Sequence, residues 1–388
     1  MHALSTSQKL KVLAFAGVFF PGYKGGGPIK TIKNLFEHTG KQISFRLVTS
    51  DRDLGDTRPY SSVTCGKWNQ IGDASVFYAQ PGSTGYKQIA DIIRKEDYDI
   101  VYLNSFFSPR FSLYPLLLAK AFRKRVVLSP RGEFSEGALS IKSFKKSAFI
   151  FIYKALQIYR GTVFQASSKF EAQDIRRVFG PRTDVYIAEN IGAREFGGAT
   201  HERRAGALHA VFVSRISPMK NLLMALESMR GVQEHLVFHI YGPIEDKDYW
   251  EQCLRVIETL PKNVEVEYRG SLEPADVVRT MNRYDVFYLP TKGENYGHAI
   301  SEAICAGLPI VISDTTPWRN LQEQGIGWDL PLNDPSAFSA VLDYLAAMPE
   351  DEYQNMRLRV LAWAENKFSQ RDAVEANIAL FRYAYERK

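Results

Sequence analysis

Two glutamates eight positions apart, Glu294 and Glu302, lie in GENYGHAISEA with Gly297 and His298 between them. Paired carboxylates can divide acid and base work, ligate a metal or grip hydroxyl groups, and the surrounding pattern chooses among these. The apolar run DVFYLP (285–290) reads as a strand, while Ala299, Ile300, Ala303 and Ile304 recur at helical spacing until Gly307 and Pro309 stop the pattern. Glu294 therefore falls in a loop and Glu302 one turn inside a helix. A helix start at a strand's C-terminal end favours anions, because its unpaired N–H groups and dipole face the ligand; Asn295, Tyr296, Gly297 and His298 would offer those amides. A carboxylate repels phosphate but holds hydroxyls well. Two of them flanking such a turn suit a ligand with hydroxyls on both sides of a phosphate, the layout of a nucleotide sugar. Taken singly, each glutamate is more often a capping or solvated residue, and it is their shared placement that favours the ligand.

The elements that must position this pair alternate along the whole chain. VLAFA (12–16), ISFRLVTS (43–50), DIVYLN (99–104), RVVLSP (125–130) and TVFQAS (162–167) read as buried strands, with helix-length stretches such as 28–40 and 84–96 between several of them. Gly40 is a candidate C-cap. The pattern breaks at 192–208, rich in Gly, Ala and charge, and resumes with HAVFVS (209–214), LVFHIYG (236–242), VEVEYRG (264–270), DVFYLP and PIVIS (309–313). Strand–helix repetition predicts parallel sheets, and 388 residues exceed what one core usually serves. The expected division is 1–195, 196–365 and a terminal amphipathic helix over 366–388, with Ser369 as its candidate N-cap.

Glu294, seven intervening residues, Glu302 and then AGLPIVISD resemble the signature of the family 4 retaining glycosyltransferases. The resemblance implies the GT-B fold, an α/β architecture of two Rossmann-like parallel-sheet domains facing an interdomain cleft, with the terminal helix crossing back to the first domain. It gives Glu294 the donor sugar and Glu302 the ribose. VSRISPMKNLLMAL resembles the family's strand-end arginine and lysine, so Arg215 and Lys220 would neutralise the donor diphosphate and support its departure; outside the resemblance both read as surface charges. Gly242 and Gly270 resemble positions near the nucleotide, and Gly25, Gly26 and Gly27 the glycine-bearing loop that faces the diphosphate and acceptor. The latter loop is neither a dinucleotide fingerprint nor a P-loop. LSPRGEF places Arg131 where many relatives have a histidine before glycine, so the histidine's role does not transfer. Asn104, Ser105 and Arg131 are the acceptor-side candidates.

Other chemistry is less well supported. Asp51 and Asp53 in DRD could hold a divalent cation, but Arg215 and Lys220 already supply that charge, so no metal or cofactor is expected. His298 lacks the partners of a catalytic histidine cluster, and a donor-contacting or structural role fits better. Three dispersed cysteines suggest neither disulfides nor zinc. The net charge of +6 points to anionic partners, and it is concentrated: residues 120–160 carry ten Lys/Arg against Glu133 and Glu136. FKKSAFIFIYKALQIYR mixes these cations with aromatic residues at helical spacing, which suits either an anionic membrane surface or a helix packed on its domain. No nucleic-acid module is present. No apolar run reaches the ~18 residues of a spanning helix, and the N-terminal apolar run lacks a signal-peptide cleavage pattern.

The expectation is a cytoplasmic enzyme, at the inner face of the membrane, moving a hexose from a UDP- or GDP-sugar to a saccharide or lipid-linked saccharide in surface polysaccharide synthesis. A GT-B nucleotide-sugar epimerase and a non-catalytic nucleotide-sugar-binding protein are the alternatives. Turnover without an acceptor would favour the first and binding without turnover the second.

Overall fold

Parallel strands buried on both faces must be almost wholly apolar, and the runs that read as strands pair in that way. The computed structural model describes residues 9–72, 74–140, 143–192, 195–198, 203, 206–368 and 371–387. It divides into two compact units, residues 1–191 with 370–388, and residues 192–369.

The first unit holds β1 (Leu10–Ala16), β2 (Ile43–Ser50), β3 (Trp68–Ile71), β4 (Ala74–Ala79), β5 (Ile100–Asn104), β6 (Arg125–Ser129), β7 (Thr162–Ala166) and β8 (Val185–Ile187). Their order in the sheet is β3-β4-β2-β1-β5-β6-β7-β8, and only the β3–β4 pair is antiparallel. Helices α1 (Gly27–Thr39), α2 (Gly82–Lys95), α3 (Tyr114–Ala121), α4 (Glu136–Ser140), α5 (Ser143–Ala155) and α6 (Lys169–Phe179) connect them. Helix α1 buries Ile29, Ile32, Leu35 and Phe36 at helical spacing, and Ser168 caps α6 by accepting from Glu171 N.

The second unit holds β9 (Leu208–Val213), β10 (Leu236–Tyr241), β11 (Val264–Tyr268), β12 (Val286–Leu289), β13 (Ile310–Ser313) and β14 (Gly327–Leu330), ordered β11-β10-β9-β12-β13-β14 and all parallel. Its helices are α7 (Leu222–Ser228), α8 (Lys247–Ile257), α9 (Val277–Met281), α10 (His298–Cys305), α11 (Pro335–Ala347) and α12 (Glu350–Lys367). The last helix, α13 (Arg371–Glu386), belongs to the first unit, where the Phe381 ring lies 5.7 Å from that of Phe45 and 5.1 Å from that of Tyr102.

Both sheets start at a central strand, grow outward in one direction and resume on the other side. The order reverses between β1 and β5 and between β9 and β12. Ligands of open α/β sheets bind outside the strand C-termini at such reversals, so the loops after these four strands are where sites are expected.

Four strands escape the sequence pattern: β3, β4, β8 and β14 are short, or carry polar residues that blur an apolar run. VEVEYRG, read as buried, forms the sheet-edge strand β11, where Val264 is buried while Glu265 and Glu267 face solvent. Gly40 follows α1 with φ −60°, so that helix ends without a left-handed residue. Gly307, at φ 75°, does supply one after α10. Lys142, Ser369 and residues 193, 194, 199–202, 204 and 205 of the glycine-rich segment lie outside the described residues.

Candidate active site

In the second unit the loops after β9 and β12 are stitched together at the sheet reversal. Lys292 N donates to Met219 O (2.9 Å), Thr291 Oγ1 to the same carbonyl (3.1 Å), and Asn221 Nδ2 to Pro290 O (2.9 Å). Asn221 takes left-handed φ 58° and turns the chain into α7. These bonds bring Lys220 beside Glu294, with Nζ 2.5 Å from Oε1. Both side chains are largely enclosed, 14% and 12% exposed, so this pair is screened far less than a surface ion pair.

Arg215, two residues past the end of β9, is more open and pairs through Nη1 with Glu245 Oε1 at 2.8 Å. Glu245 is held in turn: its N–H, like that of Asp246, donates to Ile216 O. Sequence reasoning did not single out Glu245, because a glutamate in a polar loop carries no spacing signal. Gly242 lies against this turn at φ 138°, and a Cβ there would stand 1.9 Å from Ser214 O, so only glycine fits. Its N–H donates to Gly270 O (2.8 Å). Gly270 has φ 74° and open space where a Cβ would be, leaving that face clear.

Asn295 and Tyr296 lead to Gly297, the residue preceding α10, at φ 79°. A Cβ on Gly297 would meet Ile300 Cδ1 at 2.8 Å. Trp318 Nε1 donates to Tyr296 O (2.5 Å), and the Tyr296 ring lies 4.9 Å from the His298 ring and 5.8 Å from that of Trp318. The turn before the helix is thus set by an aromatic cluster, to which Trp318 of SDTTPW contributes. Glu302 sits within α10 and is buried. A cavity of about 90 Å3 bounded by His209, His239, Tyr241, Arg269, Thr280, Arg283 and Tyr284 contains none of these residues, although Tyr241 and Arg269 directly precede Gly242 and Gly270.

The remaining candidates lie in the first unit. Gly25, Gly26 and Gly27 follow β1; Gly26, at φ 66°, is the residue before α1, and its N–H donates to Tyr23 O (3.1 Å). The Asp53 carboxylate braces that loop, accepting from Tyr23 N (2.8 Å) and Lys24 N (3.2 Å), while Asp51 pairs with Arg52 at 2.8 Å. Both DRD carboxylates are therefore occupied by the protein's own donors. Among the described residues no group of three His, Cys, Asp or Glu could hold a metal ion.

Asn104, Ser105 and Arg131 come together at the strand ends of β5 and β6. Arg131 Nη2 donates to Asn104 Oδ1 (2.6 Å) and Tyr102 OH (2.7 Å), and Nη1 to Asn190 Oδ1 (2.7 Å). Ser105 Oγ donates to Glu133 Oε1 (2.7 Å). Burial raises the Glu133 carboxyl above its ordinary range, opposed by the bonds from Phe106 N, Ser105 and Phe107 N.

Comparison with known proteins finds similarity over part of the sequence and over the whole fold. Residues 199–359 match the model of the glycosyl transferases group 1. A phosphatidyl-myo-inositol mannosyltransferase of Mycobacterium leprae is 26% identical over 130 residues, 32% of this chain and 33% of that protein, so the match spans about a third of the curated relative's length. HepE of Anabaena, solved with UDP and glucose, superposes with a TM-score of 0.69 at 15% identity, covering 96% of this chain and 99% of that one. The sucrose-phosphate synthase of Thermosynechococcus elongatus gives 0.72 at 13%, covering 97% and 99%. At these identities the structural likeness establishes the fold, which is GT-B.

Proposed function

We propose that the chain is a retaining glycosyltransferase, a reading supported by the match of residues 199–359 to the group 1 glycosyl transferases model and by the GT-B fold. In this reading it moves a hexose from a nucleotide-diphosphate sugar to a hydroxyl of a saccharide or lipid-linked saccharide. The observation that carries the reading is the enclosed Lys220–Glu294 pair at the β9/β12 reversal.

Without ligand, Lys220 and Glu294 serve as each other's counter-ions, as do Arg215 and Glu245. A donor diphosphate entering between the β9 loop and the start of α10 takes over both cations. Glu294 is then released to accept hydrogen bonds from the sugar's hydroxyls, and Glu302 serves the ribose. As the bond from the anomeric carbon to diphosphate oxygen breaks, negative charge grows on that oxygen, and Lys220 and Arg215 stabilise it without reorganising. The acceptor hydroxyl attacks from the face the diphosphate leaves and passes its proton to a departing phosphate oxygen, which preserves the anomeric configuration. Two fixed side-chain cations thereby fill the role that a divalent metal plays in other glycosyltransferases.

The first unit presents the acceptor in this scheme, and α5 places the enzyme at an anionic membrane surface. Phe144, Phe151 and Leu156 are 85%, 71% and 68% exposed, and with Ala148, Ile152 and Ala155 they form an outward stripe at helical spacing beside Lys145 and Lys154. The opposite side packs inward through Phe149, Ile150 and Tyr153. Exposed apolar area of this size flanked by cations matches a bilayer interface. Among the described residues no helix is long and apolar enough to cross a membrane.

A calorimetric panel of UDP- and GDP-sugars, with UDP-glucose first because UDP and glucose occupy HepE, tests the donor assignment. One or more should bind with micromolar to low-millimolar Kd. Equal binding by Lys220→Ala would remove the site from contention.

A further inference from the structure

The first unit carries a cation that makes no ion pair among the described residues. Arg131 is half-buried, and its guanidinium is held by three neutral acceptors, Asn190 Oδ1, Tyr102 OH and Asn104 Oδ1, at 2.6–2.7 Å. No carboxylate lies within ion-pair distance of it among the described residues, and its Nε is buried with no acceptor. Two glutamates do bond to residues beside this cluster, and both are committed to backbone and serine donors. Glu171 accepts from Gly132 N (2.6 Å), Ser167 N and Ser167 Oγ (both 2.7 Å). Glu133 accepts from Ser105 Oγ, Phe106 N and Phe107 N.

Those two carboxylates fix an uncommon backbone. Ser105 has φ 147° and Arg131 φ 55°, the latter followed by Gly132 at φ 77°. Positive φ in a non-glycine residue is unfavourable and persists where surroundings over-determine it. The turn that aims Arg131 is therefore enforced from both sides. A half-buried charge with only neutral partners is itself unfavourable, and a buried N–H without an acceptor adds to the cost. A stabilising carboxylate would be a small sequence change, at Asn190 or Asn104 for example, yet both positions carry the neutral amide.

We infer that Arg131 is the receptor for an oxyanion on the acceptor: a phosphate, as on a lipid diphosphate carrier, or a uronic acid carboxylate. The inference rests on the reading of the first unit as the acceptor side. Its position supports this, because Asn104 ends β5 at the first sheet's reversal and Arg131 follows β6 beside it, where an open α/β sheet binds ligands. The guanidinium keeps its full charge for the ligand while neutral partners fix its orientation, so the ligand meets a preorganised cation.

The test is ligand-observed NMR titration of the full chain with phenyl phosphate, methyl glucuronide and neutral methyl glucoside. The wild type should bind at least one anionic probe about tenfold more tightly than the glucoside; phosphate preference indicates a phosphorylated carrier and carboxylate preference a uronate. Arg131→Gln should lose that preference. Asn190→Asp, which sets a carboxylate beside the guanidinium and keeps the side-chain shape, should lose it too while melting no lower than wild type. Lys220→Gln, in the donor-side pair, should retain it. The inference is overturned if the wild type shows no preference, if Asn190→Asp binds the anionic probes unchanged, or if the preference disappears in Lys220→Gln instead. None of these readouts requires donor binding, so failure of the donor assignment in the nucleotide-sugar panel is read separately.

Discussion

At the scale of single residues, the proposed donor site is a set of charges that are paired with one another and would have to exchange those partners on binding. Glu245 pairs with Arg215, and in the proposed reading it competes with the diphosphate for that cation. Because that pair is open to solvent, its contribution is small, and Glu245→Gln should tighten donor binding by roughly two- to fivefold, an effect that shrinks in high salt. Gly242→Ala tests the backbone of the same turn: a methyl 1.9 Å from Ser214 O must push the β9 and β10 loops apart. Strain of about 1–3 kcal/mol or more should appear as a lower Tm and weakened donor binding in the same variant. Unchanged melting there would contradict the close approach. The placement of Glu294, Glu302, Arg215 and Lys220 at strand ends and a helix start was legible because the apolar pattern marks those elements. Glu245, Glu133 and Glu171 were not, since their importance comes from partners that only the fold brings near.

At the scale of elements, apolar periodicity located ten of the strands because parallel strands buried on both faces tolerate little else. It failed at β3 and β4, where polar residues blur the apolar run, and at β8 and β14, which are too short to stand out. The segment that became α5 presented two readings, a packed helix or a membrane-facing one. Its two sides now accommodate both, since Tyr153 is buried and Phe144 and Phe151 project outward. Replacing Phe144 and Phe151 with serine should cut binding to phosphatidylglycerol-containing vesicles at least tenfold, because each ring offers on the order of 1.5–3 kcal/mol on burial. Tm should stay within about 2 °C of wild type, as neither ring supports the core. Vesicle sedimentation at wild-type levels would eliminate α5 as the docking element.

At the scale of the whole molecule, the chain returns to complete its first unit after finishing the second, and α13 is part of that unit's core. Phe381 is fully buried, and Asn377 Oδ1 accepts from Gln165 Nε2 (3.1 Å), whose own Oε1 accepts from Tyr102 OH (2.5 Å). Phe381→Ala should cost about 3–5 kcal/mol, and hydrogen exchange should show the loss of protection in β1, β2 and β5 rather than in β9–β13. Loss spread evenly over both units would contradict this assignment. The proposed transfer depends above all on the proposed donor site, whose most direct test is the rate at which nucleoside diphosphate is released from the sugar donor selected by the binding panel. Wild-type protein should hydrolyse that donor slowly in the absence of acceptor, and Lys220→Ala and Glu294→Ala should each lower the rate by about 10²–10³-fold while remaining folded. Release at the wild-type rate by both variants would contradict the account.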